Sequence, residues 1–142
     1  MRTILPLVCL CLMTFACAPA AVGNDVPTPP MPTDFAIELA GGGGFTGEWH
    51  STRVTAKGDV LEDNKRVATV PQSTREELWK LLMRSGYFDM SGEPGNMSSS
   101  ITVTANGDTK HVVQELGADP DGFGKLGSDC ANLIRQTRRP IN

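Results

Sequence analysis

His50 and His111 are the only imidazoles in the 142-residue chain, and each has a carboxylate close by in sequence. Glu48 stands two residues before His50, and Glu115 stands four after His111. On extended backbone such spacings place both members of a pair on one face of a strand. If the two strands were neighbours, a His/Glu set with the chemistry of a zinc site would result. A solvated sheet face accounts for the same four residues without a metal. The expectation is therefore no metal and no cofactor.

The second stretch with chemical potential is GGGGFTGEWH, from Gly41 to His50, where Gly42, Gly44 and Gly47 fall on G-x-G-x-x-G. A dinucleotide fingerprint needs a helix after the glycines, because the helix N-terminus holds the pyrophosphate. Here Trp49 to Thr55 is rich in β-formers and alternates in polarity. Glu48 follows Gly47 where a P-loop requires Lys. The stretch is predicted to be a hairpin connection with Phe45 at its tip. Asp119-Pro120-Asp121-Gly122 resembles the start of a calcium loop, but Phe123 and Cys130 stand where an EF-hand needs oxygen ligands. Helix capping by Asp119 is the reading retained. No G-x-S-x-G elbow occurs, and Ser98-Ser99-Ser100 is a polar lead into a strand. Cys130 lies on the apolar stripe of a predicted helix, where burial raises a thiol pKa and removes its reactivity. No catalytic residue is assigned.

The elements that would position these residues follow from periodicity. Phe35, Ile37 and Leu39 alternate as a half-buried strand; a second runs from Trp49 to Ala56, and Lys57-Gly58-Asp59 turns into a short third at Val60-Leu61. Glu62 to Lys65 reads as a loop before a further extended stretch, Arg66 to Val70. Ser73 and Glu76 fit a capping box, and Leu78, Leu81 and Leu82 form the stripe of a helix that Gly86 ends. Tyr87 and Phe88 tuck beneath that end. Ile101, Val103 and Ala105 alternate up to Asn106-Gly107, a type I′ hairpin signal, and His111 to Leu116 returns. Asp119 with Pro120 at the first helical position opens a second helix carrying Phe123, Leu126, Cys130, Leu133 and Ile134. The order β-β-β(β)-α-β-β-α predicts an α+β fold, an antiparallel sheet with two helices packed on one face.

Composition bounds the rest. A 39% hydrophobic and 20% charged chain of this length has room for one ordinary domain. Its formal net charge of −3 argues against a nucleic-acid surface. Arg135, Arg138 and Arg139 cluster locally, where they suit a helix C-terminus. Arg2 followed by the apolar run Ile4 to Phe15 is a targeting leader, too short for a membrane span. Two processing routes fit it. Thr14-Phe15-Ala16-Cys17 resembles a lipobox, making residues 1–17 a lipoprotein signal peptide that ends at the lipidation site Cys17. Cleavage near Ala18-Pro19-Ala20 would instead yield a soluble secreted or periplasmic protein. With Cys9 and Cys11 in the leader and Cys17 acylated, Cys130 has no intramolecular partner. Residues 18–33, with Pro19, Pro27, Pro29, Pro30 and Pro32, read as an extended spacer, leaving residues 34–142 as the domain.

From Asp34 to Ile134 the order of elements resembles emfourin-like proteins, bacterial inhibitors of thermolysin-like metalloproteases. A strand leads into Gly43-Gly44-Phe45-Thr46-Gly47; a Leu-rich helix ends in Gly86-Tyr87-Phe88; His111 sits on a return strand before a terminal amphipathic helix. The resemblance implies a non-catalytic binding domain. Its candidate contacts are Gly43, Gly44, Phe45, Thr46 and Gly47, and its candidate partner is an envelope protein or a metalloprotease. Lipid on Cys17 would hold it in the cell envelope, at the outer membrane where one exists. The alternative is a periplasmic or secreted metal-dependent enzyme or metal-binding domain using His50, His111 and their carboxylates.

Overall fold

The structure is a computed structural model, and it describes residues 27–141. The leader, both processing routes and Cys17 lie outside the described residues. Among the described residues, seven strands form one antiparallel sheet and two α-helices pack on it, so the fold is α+β. The strands are β1 (Ala36–Gly43), β2 (Trp49–Val54), β3 (Asp59–Glu62), β4 (Lys65–Thr69), β5 (Met97–Ala105), β6 (Asp108–Glu115) and β7 (Arg139–Pro140). The helices are α1 (Gln72–Ser85) and α2 (Phe123–Thr137), with one 3-10 turn at Tyr87–Asp89. The spatial order is β6-β5-β1-β2-β3-β4-β7.

Cross-strand register sorts the side chains onto two faces. Ile37 stands opposite Val54 on one side and Val103 on the other, and Val54 opposite Val60. These four are at most 1% exposed and form the floor of the core. Leu78 and Leu82 of α1 and Leu126, Cys130 and Ile134 of α2 cover it. Truncating a side chain such as Leu82 to Ala would cost about 2–5 kcal/mol. The opposite face is polar, carrying Glu38, Arg53, Thr102, Thr104 and His111 at the alternate positions.

Several boundaries differ from the sequence expectation. The capping box does not form: Pro71 is the N-cap of α1, and its carbonyl accepts the N–H groups of Thr74 and Arg75. Ser73 and Glu76 therefore lie inside the first turns, where Gln72 bonds Glu76 instead. The fixed φ of Pro71 (−69°) starts the helix before the serine can. Gly86 does end it, in the left-handed region at φ 70°. The expected loop from Glu62 to Lys65 is a two-residue turn at Asp63-Asn64, both at positive φ (46° and 67°), joining β3 directly to β4. Asp119 caps α2 from further back, its carboxylate accepting the N–H groups of Gly122 and Phe123 at 3.0 and 2.8 Å. Pro120 accordingly sits outside the helix rather than at its first position.

Both ends of the domain carry more structure than their composition implies. The spacer stops being a spacer at Pro29, whose carbonyl accepts Trp79 Nε1–H at 2.8 Å, and Met31 packs against the core. After α2, Arg138 pairs with Glu62 at 2.5 Å, and Arg139–Pro140 adds β7 beside β4. The chain's final arginines thus tie α2 to the sheet. No helix among the described residues is long and apolar enough to cross a membrane.

Candidate functional site

The glycine run is divided between a strand and a turn. Gly41 and Gly42 continue β1 between β2 and β5, and Gly43 pairs with β5. A side chain at Gly42 would overlap the Glu48 carbonyl oxygen, and one at Gly43 the Asn96 carbonyl oxygen. Gly43 also holds φ at 106°, a region L side chains rarely enter. Close backbone approach on both flanks therefore explains these two glycines without any phosphate. The chain then reverses: Gly47 N–H bonds the Gly44 carbonyl at 3.3 Å, and Gly43 N–H bonds the Glu48 carbonyl at 3.1 Å. Gly44 N–H reaches across to Asn96 O at 2.7 Å. Phe45 and Thr46 form the tip of a tied turn, and Phe45 projects fully into solvent (112% exposed).

Three other large apolar side chains are exposed at this same end of the sheet. Trp49 (48%) starts β2 opposite Gly42; Met97 (48%) starts β5 opposite Gly43; Leu116 (62%) follows β6, its N–H bonded to Met97 O at 2.8 Å. Scattered exposed apolar residues are ordinary, whereas a grouped set signals an interaction surface. Among the described residues, four of the five large exposed hydrophobics lie at this end; the fifth, Ile141, lies beside Val67.

Beside Leu116 a cleft of about 280 Å³ opens between α2 and the core face of β1 and β5, whereas Trp49, opposite Gly42, belongs to the other face of the sheet. Leu39, Ile101, Leu116, Phe123 and Ala131 line it, with His50, Ser99 and Ser128 also on its wall. Two glycines keep it open. Gly41 sits between His50 and Ser99 in the cross-strand row, and a side chain there would make only an ordinary contact with the Ser98 carbonyl oxygen. Gly127, inside α2, faces space, the nearest atom to an added Cβ being Ile101 Cδ1 at 4.0 Å. Alanine at an interior helix position is about 1 kcal/mol more favourable than glycine. The cleft thus exists at some cost in helix stability.

The two histidines do not meet. β2 and β6 are separated by β1 and β5, and the register puts His50 and His111 on opposite faces of the sheet. His111 Nδ1 lies 2.8 Å from Thr102 Oγ1 on the polar face. His50 Nδ1 lies 3.1 Å from Asp63 Oδ2, while Ser51 N–H donates to Asp63 Oδ1 at 2.9 Å. The hydrogen bond to Asp63 and its charge raise the His50 pKa above its ordinary value. Among the described residues no group of three or more His, Cys, Asp or Glu is placed to hold a metal. Cys130 is fully buried on α2, and burial pushes its thiol up to about 12.

Of the candidate residues, Gly43 to Gly47 occupy the hairpin as expected. Trp49, Met97, Leu116 and the cleft were not singled out from the sequence. Met97 and Leu116 are isolated apolar residues at strand ends in sequence, so no periodicity marks them as a group. No family model matches the chain, and no curated protein matches it either.

Proposed function

We propose that this protein is a non-catalytic binding module displayed in the cell envelope by lipid on Cys17, with the glycine-rich end of its sheet as the contact surface. The observation that carries this reading is the exposure of Phe45, Trp49, Met97 and Leu116 at one end of the sheet, with Leu116 on the wall of an open apolar cleft. A tied turn that holds an aromatic ring entirely in water gains nothing from it in the folded monomer; a partner's concave site would bury it. The emfourin-like order of elements makes thermolysin-like metalloproteases the first partners to assay, as an inhibitor would meet them.

Two variants test this. Capture from an envelope extract, and inhibition of a thermolysin-like protease, should both weaken at least tenfold in Phe45→Ala, about 1.4 kcal/mol. Cys17→Ser should release the protein from membranes and abolish labelling by a fatty-acid analogue. Full solubility of the unsubstituted protein would remove the anchor. A zinc-dependent rise in Tm would favour the metal-binding alternative.

A further inference from the structure

The cleft between α2 and the sheet does not stop at Ala131. A second hollow of about 270 Å³ adjoins it, and Leu39 and Ala131 line both. Together they form one groove along α2, from Leu116 and Phe123 at one end to Arg135 and Arg138 at the other. Its length from Gly124 to Arg135 is about 17 Å, at 1.5 Å of helix rise per residue. The two ends differ in chemistry. Ile101, Leu116 and Phe123 make the first end apolar, and among the described residues its one titratable side chain is His50, already held by Asp63. At the far end the charged side chains are Arg135, Arg138 and Glu62. Glu62 is committed to Arg138, while Arg135 donates to the Asn132 side-chain oxygen at 2.6 Å. Among the described residues Arg135 joins no ion pair, so this end carries an uncompensated positive charge.

We infer that this groove binds a single-chain anionic amphiphile, a fatty-acid carboxylate, with its alkyl chain laid toward Leu116 and its headgroup at Arg135. The walls decide against a peptide. The floor is β1, paired on both sides by β2 and β5, and the wall is the interior of α2. A main chain lying there would find no free sheet edge, and its own N–H and C=O groups would go without partners. An alkyl chain has no such groups, and every methylene it buries is favourable. The guanidinium fork suits a carboxylate, which can accept two parallel hydrogen bonds. A cationic headgroup would meet Arg135 as a like charge. At Gly127 an added Cβ would still be 4.0 Å from Ile101 Cδ1, so the space a larger residue would take is open to the alkyl chain. Phe45 is not part of the groove wall.

The test uses the full-length protein in a detergent-free envelope preparation and a photoreactive diazirine analogue of dodecanoate. Cross-links should fall on the groove residues of β1 and α2, Leu39 and Ala131 among them. Unlabelled dodecanoate should compete at least about tenfold better than octanoate, which buries fewer methylenes. A matched dodecyl-trimethylammonium probe should label the same residues at least about fivefold less. Arg135→Gln should erase that difference between the probes, and Arg135→Lys should keep it. Gly127→Leu and, from the sheet side, Gly41→Leu should each abolish labelling; resistance to added protease checks that they fold. Phe45→Ala should leave labelling unchanged, which separates this site from the proposed contact surface. Labelling that survives both fillings, equal labelling by the two probes, or label spread evenly along the chain would each overturn the proposal. So would displacement by the acidic peptide EEFEE but not by dodecanoate, or equally strong labelling by a diazirine phosphatidylglycerol.

Discussion

The two ends of the sheet close their hairpins by opposite means. At the Asn106-Gly107 end, polar side chains tie the backbone down. Asp34 accepts the N–H groups of Asn106 and Gly107 at 2.8 and 2.7 Å, and those bonds hold its carboxyl below the usual range. The buried Tyr87 hydroxyl donates to Ile101 O at 2.7 Å and lies 2.9 Å from Lys110 O. Burial raises its pKa, so it stays a donor. At the Gly43–Gly47 end the turn is held almost wholly by backbone, and the large side chains point outward. One end invests its side chains in the fold. The other leaves large apolar side chains in solvent, and substitutions at the two ends should fail in different ways.

The largest expected effect is on the backbone of the glycine-rich end. Gly43→Ala must relieve both a positive φ and an overlap with Asn96, and should cost about 2 kcal/mol or more of folding stability. Urea unfolding measures it; a change under about 0.5 kcal/mol would mean that the β1–β5 contact yields easily. At the other end, Tyr87→Phe leaves two carbonyls without their hydroxyl and should cost about 1–3 kcal/mol with partner binding intact. A loss of binding with stability intact would erase the distinction between the ends.

How far the sequence foretold each end follows from the physics of each. Asn106-Gly107 was legible because a type I′ turn needs positive φ at both positions and few residue pairs supply it. Asp63-Asn64 uses the same geometry (φ 46° and 67°), yet its second residue is not glycine and its flanks are charged, so it read as loop. The helical stripes were legible because burial imposes their period. The capping box failed because a proline two residues earlier fixed the start of α1 first. The hairpin carrying Phe45 could be placed, since its neighbours alternate. Trp49, Met97 and Leu116 come to one end of the sheet only through register, which pairs Gly42 with Trp49 and Gly43 with Met97. Nothing local encodes that adjacency.

Smaller effects sharpen the comparison. Gly127→Ala should stabilise the protein by up to about 1 kcal/mol, because α2 gains a helix former in open space, while narrowing the cleft. Thermal unfolding and partner titration on that variant should move in opposite directions; a loss of stability would show that Gly127 serves packing. The smallest effect is electrostatic. His50 has a raised pKa in the folded state, so its pair with Asp63 stabilises fully below the ordinary histidine value near 6.5. That contribution is lost as pH rises through the raised folded value. NMR titration of His50 should show the elevated midpoint, and Asp63→Asn should bring it down. An unchanged midpoint would mean that the pair does not persist in solution.

The most direct test of the central claim is one variant measured twice. Phe45→Ala combined with Leu116→Ala removes apolar surface that is already in water, so urea unfolding should change by less than about 1 kcal/mol. Partner affinity on the same preparation should fall by at least about a hundredfold, roughly 2.8 kcal/mol. A large loss of stability with affinity retained would contradict the account, and would place these side chains in the fold instead of in the interface.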